Sequence, residues 1–129
     1  MNASLVKVST VSEYHYTAEI VRVIDGDTLE VELSLGFHIK LRETVRVYGI
    51  NCPETRSKDL IETAAGFAAK DFALNLLTGT GRDVTLKTVK SNEKFGRYLA
   101  TVTLCDGSDF GTLMIQHGHA KEYFGGKRE

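Results

Sequence analysis

Residues 21–33 read VRVIDGDTLEVEL, and the fold turns on how that stretch divides. Upstream, residues 16–23 alternate and are rich in β-branched side chains, the pattern of a strand. Downstream, Leu29, Val31, Leu33 and Leu35 alternate with Glu30, Glu32 and Ser34, the pattern of a strand with one buried face. The Asp25-Gly26-Asp27 turn between them makes the pair a hairpin. Asp and Gly suit such a turn because they tolerate unusual backbone angles and hydrogen-bond locally. Two carboxylates two residues apart at a strand end also suit a cation, and the local sequence leaves both readings open.

Working outward, Ile39, Leu41, Val45 and Val47 keep one parity through a third strand, which sets Arg46 and Tyr48 on its other face. Pro53, the only proline, ends that region. Ile61, Ala65, Ala68, Phe72 and Leu76 then recur at helical spacing until TGTG at 78–81 stops the helix. Residues 84–89 and 98–104 read as two further strands. Ser108 or Asp109 caps a short helix that reaches about His117. Three strands, a helix, two strands and a short helix predict a five-stranded antiparallel barrel of the oligonucleotide/oligosaccharide-binding (OB) type, with the long helix between strands three and four. The fold class is thus a β-barrel with helices (α+β), and residues 1–129 form a single domain.

Composition narrows the function classes. At 129 residues, 42% hydrophobic and 26% charged, the chain has a globular composition rather than that of a disordered segment. A net charge of −1 carries no polycationic signature, so any contact with nucleic acid has to come from locally clustered lysines and arginines. No apolar run is long enough to span a bilayer, so no membrane partner is expected. The first residues show no secretory signal, which points to the cytoplasm, or to secretion where a signal has been removed. Cys52 and Cys105 make no disulfide framework and have no zinc-ligand spacing; they read as reduced thiols. His15, His38, His117 and His119 share no metal-site spacing with acidic residues, and the HGH at 117–119 reads as surface.

Three segments carry chemistry. Beyond the acidic turn, VRVYGINCPETR at 45–56 sets Asn51 and Glu54 around a Cys-Pro at a strand end. Proline stiffens that loop and pushes Cys52 toward extended geometry. Oxygens from Asp27 and Asn51, a backbone carbonyl and water suit a hard cation such as Ca²⁺; an Asx turn with a solvated glutamate is the plainer alternative. In the third segment, SNEKFGRYLATV at 91–102, Gly96 precedes Arg97 at a strand entry. Alone, that arginine reads as a solvated side chain; paired with Arg46, it offers a second planar fork able to grip one phosphate.

These segments resemble, in order, the IDGDT, R…P-E and K-x-G-R signatures of the thermonuclease (staphylococcal-nuclease-like) family, here at 24–28, 46–54 and 93–97. The resemblance covers about residues 18–123. It implies an OB-fold barrel and a Ca²⁺-dependent phosphodiesterase acting on DNA and/or RNA, single-strand-preferring and broad in sequence specificity. Asp27 matches a direct metal ligand, Asp25 a supporting carboxylate behind it, and Cys52 a backbone-carbonyl ligand. Glu54 matches the carboxylate that activates or orients the attacking water, and Arg46 and Arg97 match the phosphate-binding arginines. Lys94, Phe95, Tyr123 and Phe124 fall at or near substrate-binding positions. Asn51 stands where the family has a second metal-binding aspartate. An amide oxygen brings no charge, so weaker Ca²⁺ binding, or use of another divalent cation, is implied. The alternative is a catalytically impaired barrel that binds single-stranded nucleic acid or a protein ligand.

Overall fold

The hairpin expected around the acidic turn opens the barrel. In the computed structural model, which describes residues 15–89 and 98–124, β1 (His15–Asp25) pairs antiparallel with β2 (Thr28–Ser34), and β2 with β3 (Lys40–Val47). After α1 (Leu60–Thr80), β5 (Asp83–Val89) pairs with β1 on one side and with β6 (Tyr98–Thr103) on the other. The strand β4 (Gly49–Asn51) precedes α1, and α2 (Phe110–Gln116) and β7 (Lys121–Tyr123) follow β6. The barrel closes in the order β1-β2-β3-β6-β5. β1 serves two neighbours because register shifts at Ile20/Arg22 and Val23/Asp25 coil it around the corner.

The expectation of an all-antiparallel barrel needs one correction: β3 and β6 run parallel, with Val45 opposite Tyr98 and Val47 opposite Ala100. A closed ring of five strands cannot alternate direction at every junction, so an odd barrel must contain a parallel pair. The connection from β3 to β6 runs through β4, α1 and β5, long enough for the crossover that a parallel pair requires.

Inward-facing Ala18, Ile20, Leu29, Val31, Val45, Val47, Leu86, Ala100 and Val102 fill the barrel. Ala69, Ala73 and Leu77 of α1 and Phe110 and Met114 of α2 extend that core. The period-two reading holds for the barrel body and fails at the far end of β2 and β3. There Leu35, Ile39 and Leu41 are exposed, because the hairpin outruns the barrel and has no second layer to meet. Phe37 at its tip has a φ of 54° and is 95% exposed.

The α1 helix forms where expected, with Asp59 accepting the Ile61 N–H at its start and Gly81 (φ 100°) ending it. Its periodic residues are only partly buried: Phe72 and Leu76 pack against the core. Gly66, Ala69, Ala73 and Leu77 face inward, while Ile61 (82% exposed), Ala65 and Ala68 face outward. Close approach explains the rotation. A Cβ on Gly66 would lie 2.5 Å from the Glu54 carbonyl oxygen, so the helix presents its smallest residues to the loop it packs on. The expected cap of α2 is Asp109, whose Oδ2 accepts from both the backbone N–H and the hydroxyl of Thr112.

A second small sheet was not foreseen. β4 and β7 pair antiparallel, with Gly49 opposite Tyr123 and Asn51 opposite Lys121. This ribbon carries the loop with the candidate site residues.

Candidate functional site

The two aspartates of the acidic turn grip the loop after β4. Asp27, only 6% exposed, accepts the backbone N–H of Cys52 on Oδ2 at 2.8 Å and the Thr28 hydroxyl on Oδ1 at 3.0 Å. Its backbone carbonyl takes the Val47 N–H at 2.9 Å. Asp25 accepts the Thr55 hydroxyl on Oδ1 at 2.9 Å. One carboxylate therefore holds the loop before Pro53 and the other holds it after, so the position of Glu54 follows from the turn. Gly26 completes the fit. It has an ordinary backbone φ, and a Cβ there would meet Cys52 Sγ at 2.9 Å and Ala69 Cβ and Met114 Cε at 3.1 Å. Glycine is needed here for space.

Arg46 projects from the outer face of β3 opposite Thr28, as the parity of Val45 and Val47 demands. Its Nη2 donates to Asn51 Oδ1 at 3.0 Å and lies 3.6 Å from Asp27 Oδ2. Its Nη1 donates to the carbonyls of Ile50 at 3.1 Å and Val47 at 3.4 Å. The guanidinium carbon sits 5.4 Å from the centre of the Tyr123 ring, a cation–π contact supplied by β7. With both partners almost fully buried, the Arg46–Asp27 pair is shielded from the screening that makes exposed ion pairs weak.

The structure thus brings together Asp27, Arg46, Asn51, Cys52 and Tyr123, with Asp25 and Glu54 on the adjoining turn and loop. Phe124 is placed otherwise: its exposed ring tilts against Tyr48 at 5.4 Å and lies over Gly49. Lys94, Phe95 and Arg97 lie outside the described residues. The clasp between Thr55 and Asp25 and the carbonyl of Ile50 were missed in the sequence, since neither residue type signals its partner. Tyr123 under Arg46 became readable only with the β4–β7 register.

The donors proposed for a cation are all oxygens, the kind that Ca²⁺ or Mg²⁺ prefers. Asp27 Oδ2 and Asn51 Oδ1 both meet Arg46 Nη2. In charge the set is lean, because one carboxylate already shares its negative charge with a guanidinium and the amide adds none. Among the described residues, no group of three or more His, Cys, Asp and Glu side chains is gathered around a metal-sized space. Such a set suits a weakly held ion completed by water and an anionic ligand, and does not suit a tightly bound structural metal.

The model of the staphylococcal nuclease homologue family matches residues 44–129 of this chain, a stretch that contains Arg46, the Asn51-to-Glu54 loop and Arg97. The chain belongs to that family. It is 26% identical to the endonuclease YhcR of Bacillus subtilis over 88% of its own length and 9% of that protein. It is 28% identical to an uncharacterized protein of Methanocaldococcus jannaschii over 84% of its own length and 60% of the relative. The chain therefore spans about three-fifths of one curated relative and a small part of the other. This staphylococcal nuclease homologue sets Asp27 of the acidic turn and Arg46 of β3 together on the barrel, 3.6 Å apart. No helix among the described residues is long and apolar enough to cross a membrane.

Proposed function

We propose that this protein is a divalent-cation-dependent nuclease hydrolysing phosphodiester bonds of single-stranded DNA or RNA. Membership of the nuclease-like family supports a nucleic acid as substrate. The observation that carries the reading is Arg46, held by Asn51, Asp27 and Ile50 beside the loop bearing Glu54. A phosphodiester is anionic, and attack by water adds charge to its oxygens. A guanidinium whose rotamer is locked before the substrate arrives stabilises that charge without reorganising.

In this reading Asp27, Asn51 and the Cys52 carbonyl would hold a Ca²⁺ or related ion, which would supply positive charge to the anionic transition state. Arg46 and Arg97 bind and orient the phosphate, and Glu54 accepts the proton of the attacking water. Asp25 fixes the loop through Thr55. Tyr123, and by the family resemblance Lys94 and Phe95, would bind the strand, with the aromatic rings stacking on bases with little sequence preference. Phe124, packed on Tyr48, serves this path only from its exposed edge.

The second reading, a barrel that binds without cutting, draws on one observation. Asn51 provides an amide oxygen where a second carboxylate would strengthen the ion, and that oxygen accepts from Arg46. Incubation of the purified protein with denatured DNA and Ca²⁺, with and without chelator, separates the two. Chelator-sensitive cleavage that is lost in Glu54→Gln is the expected result; binding without turnover selects the second reading.

A further inference from the structure

A cavity of about 480 Å³ adjoins the site, and Asn51, Pro53, Glu62, His119 and Lys121 are among the residues that line it. Its volume lies in the range of small-ligand pockets. Asn51 links it to Arg46, since the side chain that lines the cavity also accepts from the guanidinium. Lys121 is the register partner of Asn51 in the β4–β7 ribbon. Residues directly opposite in an antiparallel pair project to the same face, so the ammonium stands on the face that carries Asn51.

His119 is fixed from behind. Its ring stacks on Phe72 of α1 with centroids 4.7 Å apart and planes at 28°, and His117 packs on the same phenyl ring at 4.7 Å. The Met114 carbonyl accepts the backbone N–H of His119 at 2.9 Å, which holds the residue at the end of α2. An imidazole held flat by a phenyl ring is a preorganised stacking surface. Glu62, tied to the Ser57 hydroxyl at 2.9 Å, makes one wall acidic. That wall repels a phosphate and accepts hydrogen bonds from sugar hydroxyls or base amino groups. The cavity lining therefore offers a cation, a flat ring and a hydrogen-bond acceptor.

We propose that this cavity is a subsite for the nucleotide flanking the scissile linkage, with Lys121 on its phosphate and His119 stacked on its base. The inference rests on the nuclease reading above and adds to it a station for the strand at the β4–β7 ribbon. A stack of Phe72, His119 and base tolerates any base, because each presents a π face.

The test is binding of fluorescein-labelled oligothymidylates of two to five nucleotides, read by anisotropy in EDTA, with gels checking that the probe stays intact. His119→Ala is expected to weaken binding by at least about fivefold, the lower end for losing one base stack. The loss should vanish for a probe abasic at the flanking position, and His119→Phe should restore affinity by restoring the stack. Lys121→Ala is expected to lower the slope of log Kd against log salt by about 0.7, one phosphate on a single strand. Wild-type binding by both variants, alongside weakened binding by Arg46→Ala, overturns the subsite and leaves the nuclease reading standing. Failure of the wild-type protein to bind any probe, with Ca²⁺ or without, overturns both.

Discussion

The carboxylate of Asp27 accepts the backbone N–H of Cys52, twenty-five residues further along the chain, at 2.8 Å. Both groups are buried, so the bond is the alternative to a stranded donor in the core. The same aspartate faces Arg46 at 3.6 Å. A fold contact and a candidate ligand therefore reside in one side chain. Asp27→Ala removes both, leaving the Cys52 N–H without its acceptor and Arg46 without its counter-charge. The expected loss is about 1–3 kcal/mol of stability, the scale for an orphaned buried partner. Urea denaturation followed by circular dichroism measures it, and an unshifted midpoint would falsify the clasp.

Asp27 also shows how far the sequence could be read. The alternation of Leu29, Val31, Val45 and Val47 predicted barrel strands because half-buried strands have a two-residue period. The β4–β7 ribbon carried no such signal, since three residues are too few for a period. The face of α1 was legible only in part: Phe72 and Leu76 pack against the core, but hydrophobicity follows bulk and passes over small residues. Ile61 stands out in sequence, whereas Gly66, Ala69 and Ala73 face inward since only small residues allow the helix to approach the Glu54 loop. At the site, Asp27, Arg46 and Asn51 were legible by residue type and order. The tie of Asp25 to Thr55 and the stack of His119 on Phe72 were not, because each joins segments that only the folded chain brings together.

Gly66 gives a prediction in which two effects oppose. Alanine favours an exposed helix interior by about 1 kcal/mol over glycine. Here the new methyl would stand 2.5 Å from the Glu54 oxygen and 2.9 Å from the Thr55 nitrogen, both backbone atoms that cannot rotate away. Overpacking against backbone costs about 1–3 kcal/mol and should win. Gly66→Ala is expected to lower Tm and to displace the loop bearing Glu54, so that cleavage falls more than stability alone explains. A raised Tm would mean that the helix and loop are less closely packed than described.

Gly26 offers a complementary case in which the nearest obstacles are side chains. The Cβ of Gly26→Ala meets Cys52 Sγ at 2.9 Å, with Ala69 and Met114 close behind. The single variant should be destabilised by about 1–3 kcal/mol. Adding Cys52→Ala removes the nearest atom, so the double variant should recover part of that loss relative to the sum of the two single variants. A double-mutant cycle by thermal denaturation measures the coupling, and strict additivity would show that Cys52 is not the obstacle.

Asn51→Asp tests the proposed cation directly. The amide oxygen now accepts from Arg46 at 3.0 Å; a carboxylate there keeps that bond, strengthens it by charge, and adds a second negative charge beside Asp27. Ca²⁺ affinity depends on the charge of its oxygen ligands, so calorimetry should record tighter binding than in the parent protein. Unchanged or weaker binding would remove Asn51 from the ligand set.

Arg46 separates positioning from charge. Its two terminal nitrogens contact Asn51, Asp27 and the carbonyls of Ile50 and Val47, so the fork is locked into one rotamer against the Tyr123 ring. If that preorganised cation stabilises the transition state, Arg46→Ala should lower kcat by at least about 10²-fold, the scale for losing one such donor. The same variant leaves the buried Asp27 charge uncompensated, so part of the loss could reflect a loosened loop. Arg46→Lys distinguishes the causes. Lysine retains the charge but supplies a single point donor, which cannot bridge Asn51 and Ile50 as the planar fork does. A fold-only role predicts that Arg46→Lys, once its circular dichroism and urea midpoint match the parent, recovers full kcat. A transition-state role predicts a kcat still depressed by at least about tenfold in that well-folded variant, because an ammonium is not held in place by Asn51 and Ile50 as the guanidinium is.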